Sequence, residues 1–226
     1  SLPSPVVASN GFDVLAHAIE SYTARPYTAR SRPTTAAPRP QNQGANPFSS
    51  LACLEAVRLA VRHLARAVAD PEDRDARAAL MYAGLLAGIG FGNAGNHLPH
   101  ALSYPVAHHV RNWLPDGWAG DHPMVPHGIA VAVNAPAAFR HAARHAPGRF
   151  AEVLRAWTGE DPPEDDAGEA IHARFAALMK ETGLPRGLSE IGYGVEDIPL
   201  LAREAFEQKR LIDNAPGAVS LADLES

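Results

Sequence analysis

Asp13 and His17 stand four residues apart in the stretch Gly11-Phe-Asp-Val-Leu-Ala-His-Ala-Ile-Glu20. On a helix that spacing is about 40° of rotation and one turn of rise, so both side chains leave the same face. A carboxylate and an imidazole side by side are two of the four groups a tetrahedral divalent-metal site needs. A solvated polar pair is the alternative for an Asp-x-x-x-His spacing taken alone. Here Phe12, Leu15, Ala16 and Ile19 surround the pair, so the helix reads as buried. A buried Asp and His need partners, because an unpaired buried carboxylate is too costly to keep, and a metal would be such a partner.

Two more histidines stand where the helical pattern breaks: His100 in Asn96-His-Leu-Pro-His-Ala-Leu-Ser-Tyr-Pro105, and His127 in His122-Pro-Met-Val-Pro-His-Gly128. Alone, each reads as an ordinary core or surface histidine. With Asp13 and His17 they complete one carboxylate and three imidazoles, a full set for a mononuclear site. Imidazole with a hard oxygen suits Fe²⁺ or Zn²⁺, and ligand type does not choose between them. His97 and His122 are rivals for places in the set.

The elements that must position these groups read as helices. Pro3 and Pro5 make an extended entry, and Ser9 or Asn10 caps a first helix that runs to about Thr23. Residues 24–47 form a proline-rich loop, too long for a simple connector, with Tyr27 and the neighbouring arginines as anchors. Pro47 restarts helix, and Leu51, Leu54, Val57, Val61, Leu64 and Val68 follow at spacings of three and four. Asp70-Pro71 reads as the next start, leading into a small apolar run in which Gly84, Gly88 and Gly90 would let another backbone approach. After the break at Gly92-Asn-Ala-Gly95, Pro99 and Pro105 predict short or kinked pieces. Helical patterns then cover Pro126 to His145, Pro147–Thr158, Asp165–Thr182, Val195–Asn214 and the chain end. There is no convincing strand alternation and no internal repeat, so the fold class predicted is all-α.

The 226 residues suffice for a sizeable core, and 46% hydrophobic with 20% charged residues is ordinary for a globular protein. A net charge of −5 without a long basic run speaks against nucleic acid as a partner. No apolar stretch approaches a membrane span and no signal peptide opens the chain, which predicts a soluble intracellular protein. The single cysteine, Cys53, rules out a disulfide framework and reads as a buried inert thiol. Eleven histidines is a high count that favours a metal site without locating it; His141 and His145 read as surface residues. The chain opens without Met and stops as a helical pattern begins, so it reads as a domain truncated at both ends.

Four motifs now stand in order: Gly-Phe-Asp-x-x-x-His-Ala-Ile-Glu, Gly-Ile-Gly-Phe-Gly-Asn-Ala-Gly, His-Ala-Leu-Ser-Tyr-Pro and Pro-His-Gly. Together they resemble the iron-containing alcohol dehydrogenase family. The resemblance implies a two-domain enzyme of the dehydroquinate-synthase-like fold, with this chain as its helical metal-binding half. The family's ligands fall on Asp13, His17, His100 and His127. Within the family the chain looks most like the hydroxyacid-oxoacid transhydrogenase branch, through Ser9-Asn-Gly-Phe-Asp, Gln43-Gly-Ala-Asn-Pro47 and Asp121-His-Pro-Met-Val-Pro-His-Gly128. That branch oxidises 4-hydroxybutyrate to succinate semialdehyde while reducing 2-oxoglutarate to 2-hydroxyglutarate, through a bound nicotinamide cofactor.

The resemblance further implies NAD(P) in the complete enzyme. By sequence position beside the ligands, Phe91 and Tyr104 would face the nicotinamide. Arg25, Arg30, Arg32 and Arg39 in the proline-rich loop are candidate cations for the substrate carboxylate, with solvated surface arginines as the alternative. Partners implied are small hydroxy-acid and oxo-acid substrates, an N-terminal α/β nucleotide-binding domain and a second copy in a homodimer. The expected location is cytoplasmic in a bacterium and mitochondrial in a eukaryote. One departure is Tyr104, which stands where generic dehydrogenases carry a second histidine. Another is that Gly88-Ile-Gly-Phe-Gly-Asn follows no strand, so it is not a phosphate-binding turn. A simple NAD(P)-dependent alcohol dehydrogenase and a catalytically silent metal-binding domain are the competing readings.

Overall fold

The computed structural model describes residues 2–162 and 166–226. Among them are eleven α-helices and no strand, only an isolated bridge between Pro26 and Ala45. The all-α expectation therefore holds. The order is α1 (Ser4–Thr23), α2 (Pro47–Ala69), α3 (Arg74–Ala94), α4 (Leu98–His108), α5 (His127–Ala132), α6 (Ala135–Ala143), α7 (Pro147–Thr158), α8 (Ala167–Glu181), α9 (Ile198–Phe206), α10 (Lys209–Ile212) and α11 (Leu221–Glu225). The segments expected over Pro126 to His145 and Val195–Asn214 are thus each broken into shorter helices, and the start expected at Asp165 lies outside the described residues. No single helix among the described residues is long and apolar enough to cross a membrane.

Helix α1 is the central strut. It packs against α2, α3, α5 and α7, while α6 and α7 close on α8 and α4 lies against α5 and α9. It starts two turns earlier than expected, because Pro5 sits in its first turn, where the missing N–H has no helical partner to lose. Helix α2 starts at Pro47 as expected, with Asn46 and Ser49 forming a reciprocal cap. The expected cap of α3 moves from Asp70 to Asp73, whose Oδ1 accepts from Ala76 N at 2.9 Å. Asp70 instead accepts from Glu72 N at 2.9 Å, which turns the chain between the two helices.

Gly95 ends α3 at φ 81°, a left-handed angle that glycine adopts without strain. Helix α4 then runs through Pro105 as one element rather than in pieces; Pro99 lies in its first turn, so only Pro105 removes an interior donor. Residues 24–46 are tied at both ends of the loop. Arg25 N donates to Asn214 O at 2.8 Å and Gln43 N to Asn93 O at 2.8 Å. Arg30 bonds Asn214 Oδ1, whereas the Tyr27 side chain is half exposed, so the arginine anchors the loop and the tyrosine does not. His145 is exposed, but His141 is partly buried with Nε2 shielded, a departure from its surface reading.

Candidate metal centre

Two backbone approaches bring the four expected ligands into one region. A Cβ built on Gly128 would lie 2.0 Å from Ser9 O, so only glycine lets α5 cross α1 this closely. That crossing sets His127, the first residue of α5, over the turn of α1 that carries Asp13. From the other side, α4 brings His100 down on the same turn.

Asp13 Oδ1 lies 3.4 Å from His100 Nε2 and 3.5 Å from His127 Nε2. One donor atom from each of these three residues lies within 4.8 Å of the others. His17 stands at the edge of this triplet, its Nδ1 3.7 Å from Asp13 Oδ2. Its ring is stacked between Phe91, at 4.3 Å between centroids, and His100, at 4.5 Å. Tyr104 faces His127 with its ring at 6.4 Å, and both Phe91 and Tyr104 are partly exposed.

The rivals fall away. His97 is fully buried, and both ring nitrogens are engaged: Nδ1 accepts from Leu98 N at 2.8 Å, and Nε2 lies 3.0 Å from Thr23 Oγ1. It caps α4 and has no lone pair left for a metal. His122 is largely exposed in the loop before α5 and pairs with Asp121 at 3.3 Å.

The polar atoms of the cluster are unequally satisfied. Asp13 Oδ1 and His100 Nε2 are buried without a hydrogen-bond partner. Two such atoms side by side, with the His127 imidazole adjoining as a third donor, are what a divalent cation would satisfy, so the donor set fits one. Burial would raise the Asp13 carboxyl, but the adjoining His100 and the nearby His17 and His127 imidazoles hold it below its usual value. Burial pushes His17 down to about 4, only partly offset by Asp13, so it is neutral. Burial opposes charge on His100 too, yet the Glu20 carboxylate at Nδ1 and the adjoining Asp13 charge lift it to about 9 in the metal-free protein, so a cation binding at Nε2 would displace a proton there.

Glu20 is the residue that the reading of the sequence passed over. It is wholly buried, with Oε1 2.6 Å from His100 Nδ1 and Oε2 accepting from His97 N at 2.6 Å. The signal was present: Asp13, His17 and Glu20 follow at intervals of four and three, a single helical stripe.

Residues 41–226 match the Fe-containing alcohol dehydrogenase family, C-terminal, a segment that holds His100 and His127 and begins after Asp13 and His17. The mitochondrial hydroxyacid-oxoacid transhydrogenase of Xenopus tropicalis is 41% identical over 228 residues, covering 99% of this chain and 49% of that protein. The Homo sapiens protein of the same name is 40% identical over 227 residues, covering 99% and 48%. This chain therefore spans about half the length of these relatives. A 1,3-propanediol oxidoreductase structure superposes with a TM-score of 0.81 at 26% identity, covering all of this chain and 51% of that one. An alcohol dehydrogenase from Oenococcus oeni gives 0.80 at 25%, covering 99% and 51%. The helical fold, the ordered motifs and the match over most of its length agree: the chain belongs to the Fe-containing alcohol dehydrogenase family.

Proposed function

We propose that this chain is the metal-binding helical half of an oxidoreductase of the hydroxyacid-oxoacid transhydrogenase type. Its reaction is the oxidation of 4-hydroxybutyrate to succinate semialdehyde coupled to reduction of 2-oxoglutarate to 2-hydroxyglutarate. The observation that carries this is identity of about 40% along the whole chain to relatives of that name. The convergence of Asp13, His100 and His127 supports the metal chemistry it needs.

Asp13, His17, His100 and His127 would hold the cation, iron by the family's name or zinc by the same ligand chemistry. A divalent cation there supplies Lewis acidity, lowering the pKa of a substrate hydroxyl and polarising a keto oxygen. Asp13 contributes the negative charge, and the rigid α1 and the α1–α5 crossing fix where it stands. Phe91 and Tyr104, partly exposed and set against His17 and His127, are aromatic faces suited to a flat nicotinamide ring. Asn42 donates to the carbonyls of Phe91 and Gly92 at 3.1 and 3.3 Å, so the proline-rich loop lies beside Phe91. Arg25 and Arg30 are occupied within the loop and with Asn214. This leaves Arg32 and Arg39 as the freer candidates for a substrate carboxylate.

The dinucleotide itself is assigned to the half of the relatives that this chain does not span, and the location to mitochondria in a eukaryote, as the relatives' names have it. A second reading, an NAD(P)-dependent alcohol dehydrogenase with a simple alcohol substrate, draws on the likeness to the 1,3-propanediol oxidoreductase. Turnover of the full-length protein separates the two. Oxidation of 4-hydroxybutyrate that requires 2-oxoglutarate and proceeds without added NAD is expected. Oxidation of simple alcohols that needs free NAD and ignores 2-oxoglutarate would overturn the transhydrogenase reading.

A further inference from the structure

Glu20 lies on α1 in the stripe that begins with Asp13, wholly buried. Its two oxygens serve different donors. Oε1 meets the His100 ring at Nδ1, 2.6 Å away, and Oε2 accepts the backbone N–H of His97 at 2.6 Å. The opposite ring nitrogen, His100 Nε2, is buried, unpartnered and 3.4 Å from Asp13 Oδ1. We propose that Glu20 is a positioning residue for the metal centre: it keeps a proton on His100 Nδ1 and so presents Nε2, with its lone pair free, to the cation.

The assignment rests on reading Asp13, His100 and His127 as ligands and is independent of the substrate. An imidazole can bind a cation through Nε2 only when its proton is on Nδ1, and a carboxylate at Nδ1 enforces that state. The second oxygen adds placement to tautomer. By holding the N–H of His97, the residue that caps α4, it fixes the start of the helix on which His100 rides. One carboxylate thus sets both which nitrogen faces the cation and where that nitrogen lies.

The arrangement makes Glu20→Gln informative, because the amide has almost the same shape and only one oxygen. If that oxygen keeps the His97 N–H, the amide NH₂ faces His100 Nδ1 and drives the ring proton to Nε2, the cation's side. If it keeps His100 Nδ1–H, the NH₂ opposes another N–H donor at His97. Either way one of the two functions fails.

The test is zinc titration of the chain and its Glu20→Gln variant against a chromophoric chelator, with proton–nitrogen NMR of the histidine rings in the zinc-loaded protein. Expected is a zinc affinity about 10- to 100-fold weaker in folded Glu20→Gln. In zinc-loaded wild type, His100 should carry a far-downfield proton on Nδ1 and metal at Nε2, and the variant should lose that resonance. A purely structural ion pair would lower the variant's melting temperature but leave zinc affinity and the ring's tautomer unchanged, and that result would overturn the proposal. If Glu20→Gln does not fold, the wild-type spectrum decides alone: metal at Nδ1, or no proton there, would overturn it. No zinc binding by the wild-type chain would instead overturn the metal centre itself, and this assignment with it.

Discussion

Helix α1 separates two regions that meet at consecutive residues. Phe12 turns into an aromatic cluster, 5.2 Å from Phe175, which is itself 5.6 Å from Phe139. Phe150 stands 6.0 Å beyond, and all four rings are fully buried. Asp13, the next residue, turns into the polar cluster, where Asp13 Oδ1 and His100 Nε2 are buried without partners. Each such atom costs about 1–3 kcal/mol relative to a satisfied one. The aromatic side can supply stability with no ligand present, whereas the polar side keeps two buried atoms short of hydrogen bonds that a cation would satisfy. Sites held against the folding optimum in this way are where function concentrates.

The largest expected effect tests the aromatic side. Phe175→Ala should lower the unfolding free energy by about 3–5 kcal/mol, measured by urea melts of the metal-free chain. A loss below about 1 kcal/mol would mean that the cluster does not hold α8 to α1. Zinc affinity of the fraction that remains folded should be unchanged, because no aromatic of this cluster touches the ligand set.

The next effect is pH dependence, to which the buried rings of His97 and His17 both contribute. Burial pushes the His97 ring down to about 4, against an opposing pull from Glu20, and the neutral ring is the form whose Nδ1 caps α4. A folded-state pKa below the unfolded one stabilises fully above about 6.5 and is lost as pH falls from there through about 4. Metal-free stability should therefore decline over that window, by on the order of 3 kcal/mol at most. In His97→Asn, which keeps a side-chain cap without a titrating ring, that limb should become shallower while the His17 share remains. An unchanged acid limb in the variant would assign the decline to other groups.

How far the sequence foretold this division depends on the range of the interactions. The helices were legible because their causes are local: apolar spacing in α2, the Asn46–Pro47 start, the Gly95 stop. Asp13 and His17 were legible for the same reason, being one turn apart. The starts of α1 and α3 were misplaced where two residues could each serve, Pro3 against Ser9 and Asp70 against Asp73. The place of Glu20 on the ligand stripe was legible, but its partners and the role of His97 were not. Each depends on α4 arriving against α1 from 77 residues away, a contact that no local pattern encodes.

A third experiment separates ligand from scaffold on the polar side. The His127 side chain is about half exposed, so His127→Ala should change metal-free stability by no more than about 0.5 kcal/mol. It should nevertheless weaken zinc binding at least 10-fold, by removing one donor from the triplet. His122→Ala should change neither, since that ring is exposed and paired only with Asp121. Full zinc affinity in the first variant with loss in the second would transfer the ligand role to His122.

The smallest effects come from α3, which packs on α1 and α2 and sets Phe91 against His17, and they distinguish two glycines two residues apart that the sequence presents as equals. A Cβ on Gly90 would stand 2.4 Å from Cys53 Sγ, inside the α2–α3 contact, whereas one on Gly88 would meet nothing within 4 Å. Cys53 is fully buried and its thiol is pushed up to about 12 by that burial, so nothing there yields by ionising. Gly90→Ala should therefore destabilise by about 1–3 kcal/mol through overpacking. Adding Cys53→Ala removes the sulfur that the new methyl meets, so the double variant should recover part of the loss, a coupling that the double-mutant cycle reads directly. Gly88→Ala keeps its space and restricts only the unfolded chain, so it should stabilise by about 0.4–1 kcal/mol. Equal effects at the two positions would show that α3 does not seat on α2 through Gly90. In that case Phe91, the next residue, would lose the packing that sets it against His17.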